Sequence, residues 1–330
     1  MSEMKLIAFE VRPDEMDDIE RQAKKWGVEV ATTTEVPSFD NVRLVEGSVG
    51  VSTLGMGQLN RELLTAWANV GIKYVSTRTV GYDHIDLAAA HDLGIRVCNA
   101  NYAPNGVAEF TIMMIIMSLR NYKQAIARAR VNDFALAGLE GRELKDLTVG
   151  VMGTGRIGQK VIELLSAFGC EIIAYDHFEK PGVAKLATYV SKEELFERSD
   201  VITLHLPAFD STHHIIDADA ISSMKDGVVL VNCARGELVD LSALVDGIET
   251  EKIGAIAMDT VEGEKGVAHL DRRTDIIANR DLFYLMQFRN VIITQHMAFY
   301  TDAAVASMVE CGIEGIVRMA QSDERYTTEL

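Results

Sequence analysis

The chain has 330 residues, 48% of them hydrophobic and 25% charged, and its 32 Lys+Arg against 49 Asp+Glu leave a net charge of -17 at pH 7. That length exceeds the roughly 250–300 residues at which a single hydrophobic core stops growing, so two domains are expected. A charge of this sign argues against nucleic acid as a partner, because a duplex-binding surface needs clustered Lys and Arg. It also requires any anionic ligand to be held by a locally placed cation or helix N-terminus.

Short β-type runs alternate with helical patterns over the first hundred residues. Lys5–Glu10 reads as a strand; Pro13 then opens a helix whose Met16, Ile19, Ala23 and Trp26 share one face and which Gly27 closes. Strands are expected at Val28–Thr33, Val49–Leu54, Lys73–Thr77 and Arg96–Asn99, with helices at Leu59–Asn69 and Asp86–Leu93. A turn-rich Asn101–Gly106 leads into one long helix over Val107–Arg128. A second alternating series has strands at Leu147–Met152, Glu171–Tyr175, Val201–Leu206, Val228–Asn232, Gly254–Met258 and Val291–Thr294. The last helix, Asp302–Ala320, is expected to return to the first unit, and the polar tail from Ser322 to fray. Alternation in units this short implies parallel sheets covered by helices. The expected domains are 1–100 with 300–330, and 101–299.

Cys98, Cys170, Cys233 and Cys311 lie far apart, with no CxxC or Cys/His cluster, so neither a disulfide framework nor a metal site is expected; this usage suits a reducing cytosol. The opening MSEMKLIAFEVRPDE lacks the basic region and cleavage site of a signal peptide. Phe110–Leu119, the most apolar run, is about half the length that spans a bilayer, so no membrane partner is expected.

In LTVGVMGTGRIGQKVIELLSAFGCEIIAYD a glycine-rich turn follows an apolar strand and opens an amphipathic helix, and the next strand ends in Asp176. Gly153 suits the tight turn, Gly155 the close approach of a pyrophosphate, and Gly158 close packing of helix on strand. Arg156 and Ile157 begin a helix whose free N–H groups attract the pyrophosphate. An adenosyl-type methyltransferase turn, or a turn with no ligand, are the competing readings. Asp176 can accept both hydroxyls of the adenosine ribose and repels a 2′-phosphate, which favours NAD over NADP.

Three segments begin where apolar strands end: Asn232-Cys233-Ala234-Arg235, Met258-Asp259 through Glu264, and Thr294-Gln295-His296 through Phe299. One Arg, one Glu and one His at that edge form a unit for reducing a keto acid. The Arg can hold a carboxylate and polarise its carbonyl, and the His can exchange a proton while a carboxylate favours its protonated form. Glu262 and Glu264 both lie within reach of that role. Cys233 reads as a small packing residue near the nicotinamide, Asp259 as lining the cofactor's part of the site, and Tyr102 and Phe299 as lining the substrate's. His213 and His214 read as loop residues, neither metal ligands nor catalysts.

At this point the chain resembles the D-2-hydroxyacid dehydrogenase family over nearly its whole length. The carrying residues are the GTGRIG turn with Asp176, LHLP (204–207, with His205 and Pro207), NCARGELVD (232–240) and the HMAFYT segment from His296. RTVGYDHID (78–86) and NYAPN (101–105) resemble its D-lactate dehydrogenase branch. That branch includes D-2-hydroxyisocaproate dehydrogenases and the D-lactate-forming enzymes of glycopeptide resistance. The resemblance implies a Rossmann NAD domain, a flavodoxin-like substrate domain, a cleft between them, and a homodimer built largely on the 107–128 helix. It implies that Arg235, Glu264 and His296 are catalytic, with protonated His296 giving a proton to the carbonyl oxygen of a 2-keto acid reduced by NADH. It implies further that amides near Val80 and Gly81 bind the carboxylate.

Two departures stand out. Gln295 precedes the His where family members commonly carry Pro, and Val51–Gly55, expected as a loop lining the substrate side chain, lacks the bulky aromatic common in lactate-preferring relatives; the latter implies more room than pyruvate needs. NAD-sensing corepressors keep the same three residues but carry extra tails, and phosphoglycerate-type dehydrogenases are a further alternative.

Overall fold

A computed structural model describes residues 4–264, 266–322 and 329–330. The chain divides into two compact units, Met1–Ala103 with Tyr300–Leu330, and Pro104–Phe299.

The first unit is a five-stranded parallel sheet of β1 (Met4–Ala8), β2 (Val28–Thr32), β3 (Gly50–Thr53), β4 (Tyr74–Thr77) and β5 (Arg96–Cys98), in the order β2-β1-β3-β4-β5. This is the flavodoxin-like order of doubly wound folds. Helices α1 (Met16–Trp26), α2 (Arg61–Asn69) and α3 (Leu87–Asp92) connect the strands. Gly27 ends α1 at φ 62°, and Asn60 and Asp86 cap α2 and α3 by accepting N–H bonds of 3.0 and 2.8 Å. The last helix, α11 (Asp302–Ala320), belongs to this unit: Val309, Ile313, Ile316 and Val317 bury with Leu6, Ala8 and Cys98. It lies close because Gly312 has no side chain; a Cβ there would sit 2.8 Å from Ser52 Oγ and 2.9 Å from Arg78 Cγ.

Two buried charges tie this unit together. Arg78, 1% exposed, donates to Glu15 Oε1 (2.9 Å) and to the Phe9 carbonyl (2.8 Å). Glu10, which leaves β1 at φ 58°, accepts the N–H groups of Leu54, Gly55 and Gly57. Burial nonetheless pushes the Glu10 carboxyl above its ordinary value, against the pull of those amides. β1 therefore ends at Ala8 rather than running to Glu10. Val51–Thr53 likewise are strand, wholly buried, so only the Glu10-held turn beyond them is a loop. The tail is pinned rather than frayed at its end, where Glu329 takes two 2.6 Å bonds from Arg96 and Leu330 N donates to Val97 O; residues 323–328 of it lie outside the described residues.

The second unit is a seven-stranded parallel sheet. Its strands are β6 (Thr148–Met152), β7 (Glu171–Tyr175), β8 (Thr188–Tyr189), β9 (Val201–Leu204), β10 (Val228–Asn232), β11 (Ile253–Met258) and β12 (Val291–Ile293), ordered β12-β11-β10-β9-β6-β7-β8. Alternate residues feed two cores: Val149 and Val151 one face, Met152, Ile202 and Leu204 the other. Both faces are covered, which is why the strands read as continuous apolar runs.

The long helix expected over 107–128 is two helices, α4 (Asn105–Leu119) and α5 (Tyr122–Ala129), because Asn121 takes φ 51°. α4 is apolar on nearly every side and buries Val107, Ala108, Ile112, Met114 and Ile115 against the sheet, so it is core. α4 exposes Met113, and further exposed apolar side chains lie on α5 and beyond it: Tyr122, Ile126, Val131, Phe134 and Leu136.

Candidate active site

The second unit brings its chemistry to the carboxyl ends of its strands. Gly153 follows β6 at φ 95°, with no room for a Cβ, which would stand 2.6 Å from the His205 carbonyl oxygen. Gly158 is tighter still, since a Cβ would lie 2.0 Å from Gly153 O. Gly155, between them, faces open space and caps helix α6 (Arg156–Ser166) without any side-chain cap. The helix thus begins with no side-chain cap, beside a glycine whose Cβ position is open. Arg156 is exposed there and Ile157 half-buried.

Asp176 follows β7, and its Oδ2 accepts from Thr154 N (2.6 Å) and Thr154 Oγ1 (2.9 Å), its Oδ1 from Phe178 N (3.1 Å). Burial would raise this carboxyl, but the Thr154 and Phe178 bonds hold it below the ordinary value, so it is ionised at neutral pH. His205 follows β9; its Nε2 lies 3.0 Å from Thr203 Oγ1 and its buried Nδ1 has no partner among the described residues. Burial pushes this imidazole down to about 3, so it is neutral. Pro207, two residues on, is exposed. An open glycine, an uncapped helix end, an ionised acid at the next strand and an orphaned ring nitrogen together fit a dinucleotide with its pyrophosphate on α6.

Three adjacent strands, β10, β11 and β12, carry the second cluster. Beyond β10, Asn232 accepts Ala234 N (3.0 Å) and donates to the Arg235 carbonyl (2.7 Å), a closed turn that fixes Arg235. Gly236 lets this turn lie on the next one, since a Cβ would be 2.2 Å from the Val261 carbonyl carbon. Cys233 is buried, and burial, with Asp259 nearby, pushes its thiol up to about 12, so it packs and does not react.

Glu264 accepts Val261 N on Oε2 (3.0 Å) and meets His296 Nδ1 on Oε1 at 2.7 Å. Glu262 instead faces His214, 2.9 Å away. The two acids that spacing leaves open are thereby separated. Burial lowers the affinity of His296 for a proton, but the Glu264 hydrogen bond and charge more than offset it, and the imidazole titrates above its ordinary 6.5. Its Nε2 makes no hydrogen bond among the described residues.

His296 sits at φ 56°, a conformation costing about 1–3 kcal/mol unless its surroundings impose it. Asp259 imposes it. Only 1% exposed, its carboxylate accepts from Thr294 Oγ1 (2.5 Å), Met297 N (2.8 Å) and Ala298 N (2.7 Å), holding the turn on both sides of His296. Asp259, expected at the cofactor, thus has both oxygens committed to this turn. Phe299 stands edge-on to the His296 ring at 6.4 Å. Sequence reasoning missed His269, whose Nε2 lies 2.9 Å from the His296 carbonyl and whose ring is 5.8 Å from the His296 ring; an exposed loop histidine carries no pattern that would flag it.

In the first unit, Val80 and Gly81 follow β4 in a loop held by its carbonyls: Asn99 Nδ2 donates to Val80 O (2.7 Å) and Thr79 Oγ1 to Gly81 O (2.6 Å). Among the described residues the N–H groups of Val80 and Gly81 have no acceptor. Tyr102, half-buried, lies in the turn after β5.

Residues 112–298 match the model of the D-isomer specific 2-hydroxyacid dehydrogenase NAD binding domain. The chain belongs to that family. An aromatic 2-oxoacid reductase of Clostridium sporogenes is 43% identical over 93% of both chains. A D-specific alpha-keto acid dehydrogenase of Enterococcus faecium is 36% identical over 98% of this chain and 99% of its own. A solved D-2-hydroxyisocaproate dehydrogenase superposes with a TM-score of 0.89 at 33% identity over 99% of both chains. The chain is thus an NAD-dependent oxidoreductase of 2-hydroxy acids. No helix among its described residues is long and apolar enough to cross a membrane.

Proposed function

We propose that this dehydrogenase reduces 2-oxo acids with side chains larger than that of pyruvate, with His296 as the proton donor, Glu264 as its partner and Arg235 as the group that orients the substrate carboxylate. The observation that carries the reading is the 2.7 Å contact from His296 Nδ1 to Glu264, which favours the protonated imidazole and leaves Nε2 to act. Bound NADH supplies the hydride to C2. Arg235 forks onto the carboxylate and polarises the adjacent carbonyl, His296 Nε2 gives its proton to the carbonyl oxygen, and Glu264 stabilises the imidazolium beforehand. Gly153, Gly155, Arg156, Ile157 and Gly158 hold the pyrophosphate of the dinucleotide and Asp176 its ribose, while His205, Pro207, Cys233 and Ala234 line the cofactor's site. On the first unit, the amides of Val80 and Gly81 have the same carboxylate chemistry, and Tyr102 the reach of a side-chain contact, as Phe299 has on the second.

The size preference rests on the 43% identity to an aromatic 2-oxoacid reductase and on the absence of any aromatic side chain from the turn Leu54–Gly57 that follows β3. NADH oxidation across pyruvate, 2-ketoisocaproate and phenylpyruvate tests it: kcat/KM is expected to rise with side-chain size, and a pyruvate optimum overturns it. His296→Gln is expected to lower kcat by about 10²–10⁴ while sparing NADH binding. The chain further acts as a homodimer in a reducing cytosol, which its scattered cysteines suit. The apolar side chains exposed on and after α5 supply the contact, so Phe134→Ser with Leu136→Ser should yield monomers in sedimentation; an unchanged mass refutes that surface.

A further inference from the structure

Away from the residues assigned above, three side chains of the second unit converge on one point. His213 and His214 end the loop after β9, and their rings stack at 3.9 Å between centroids with planes 29° apart. Both turn Nε2 toward a single oxygen, Glu262 Oε1, at 3.6 Å from His213 and 2.9 Å from His214. The three donor atoms all lie within 4.8 Å of one another.

Both supporting segments are fixed by backbone. His213 N donates to Phe209 O and His214 N to Glu237 O, each 2.9 Å, while His214 holds φ 49°. The Glu262 carbonyl accepts Asn279 Nδ2 (3.0 Å), and its amide lies against Gly236, where a Cβ would be 2.3 Å away. The backbone that carries the donors is therefore held on both sides, and the ring stack and the 2.9 Å contact of His214 with Glu262 bring the side chains together.

We propose that His213, His214 and Glu262 bind a divalent transition-metal ion of the zinc class. Bonds of 2.0–2.2 Å in a tetrahedron put neighbouring ligand atoms roughly 3.3–3.6 Å apart, and the nitrogen–oxygen separations of 2.9 and 3.6 Å span that range. Two imidazoles and one carboxylate suit zinc or its first-row neighbours and not calcium or magnesium, which take all-oxygen shells. Two stacked imidazoles would repel if both were protonated, whereas both can be neutral ligands of one cation. The site is partly open, with His213 half-exposed, so water completes the shell. A bound ion would clamp the 209–214 loop to the 261–264 turn.

The test uses the full-length protein, freed of metal with EDTA and titrated with Zn²⁺ by calorimetry and with Co²⁺ by visible absorption. One ion per chain is expected, with the intense d–d bands of a low-coordinate nitrogen–oxygen site and a rise in Tm on adding Zn²⁺. His213→Ala and Glu262→Gln should each weaken Zn²⁺ binding at least about tenfold and abolish the Tm response. The His213→Ala protein, altered at a half-exposed side chain, should keep the metal-free Tm, which shows that it folds. Absence of saturable one-to-one binding overturns the proposal, as does wild-type affinity in either variant, because the ion would then sit elsewhere.

Discussion

Asp259→Asn tests the claim that a buried carboxylate, rather than the local chain, sets the conformation of His296. In the wild type three donors reach the carboxylate, Thr294 Oγ1 at 2.5 Å, Met297 N at 2.8 Å and Ala298 N at 2.7 Å. Bonds to a charged acceptor contribute about 1.5–3 kcal/mol each, and neutral ones about 0.5–1.5. Asparagine keeps one carbonyl oxygen for Thr294 and Met297 but turns an NH₂ toward the Ala298 N–H, leaving a buried donor unpaired at about 1–3 kcal/mol. The summed loss is about 3–6 kcal/mol. For a unit the size of the second one that lowers Tm by roughly 6–24 °C. The φ of 56° is then no longer imposed, and a His296 displaced by about 1 Å can cost on the order of 10² in kcat. The assays are thermal unfolding followed by circular dichroism, and steady-state NADH oxidation. A variant within about 2 °C and about threefold of wild type would refute the reasoning. A raised KM for NADH with unchanged Tm would return Asp259 to the cofactor.

Glu264→Gln keeps the shape of the partner to His296 and removes its charge, so the imidazole titrates lower. The alkaline limb of the reduction profile should move to lower pH, and an unmoved limb would sink the pairing. The stability sign follows from the raised folded value: the pair stabilises the fold below 6.5, the ordinary value of the imidazole, and that contribution is lost as pH rises through the raised one. The variant's deficit in Tm should therefore shrink at alkaline pH. Gly155→Ala, meeting nothing within 4 Å, should fold like wild type yet weaken NADH binding; Gly158→Ala, with its Cβ 2.0 Å from Gly153 O, should lose stability as well. Equal Tm values for the two would contradict the packing argument. Asp176→Ala should narrow the preference for NADH over NADPH, and an unchanged ratio would remove Asp176 from the ribose.

The alternation of strands and helices was legible because buried parallel strands carry continuous apolar runs, and the glycine turn because each glycine answers a separate steric demand. The break at Asn121 was not, since an apolar run followed by YKQAIARA keeps helical composition and only the left-handed φ of one residue divides it. Spacing alone left Glu262 and Glu264 open and only the family resemblance favoured Glu264, because both sit in one tight turn and their side chains leave it in different directions. Asp259 reads from sequence as an acid at a strand end, where ligands bind; that its oxygens are spent on Thr294, Met297 and Ala298 depends on β11 and β12 being neighbours. The same limit concealed the convergence of His213 and His214 on an acid 48 residues away.

The placement of α11 has a consequence for synthesis. Its Val309, Ile313 and Ile316 complete the core begun by Leu6 and Ala8, so a ribosome making this chain finishes the second unit while the first still lacks one wall. Domains usually fold in the order they emerge, but here the unit begun first is closed last. Until residues past 302 are free of the tunnel, the sheet face that α11 will cover stays wet. A permuted gene that starts at residue 301, so that Thr301 still caps the helix, would carry the wall ahead of the sheet and reverse that order.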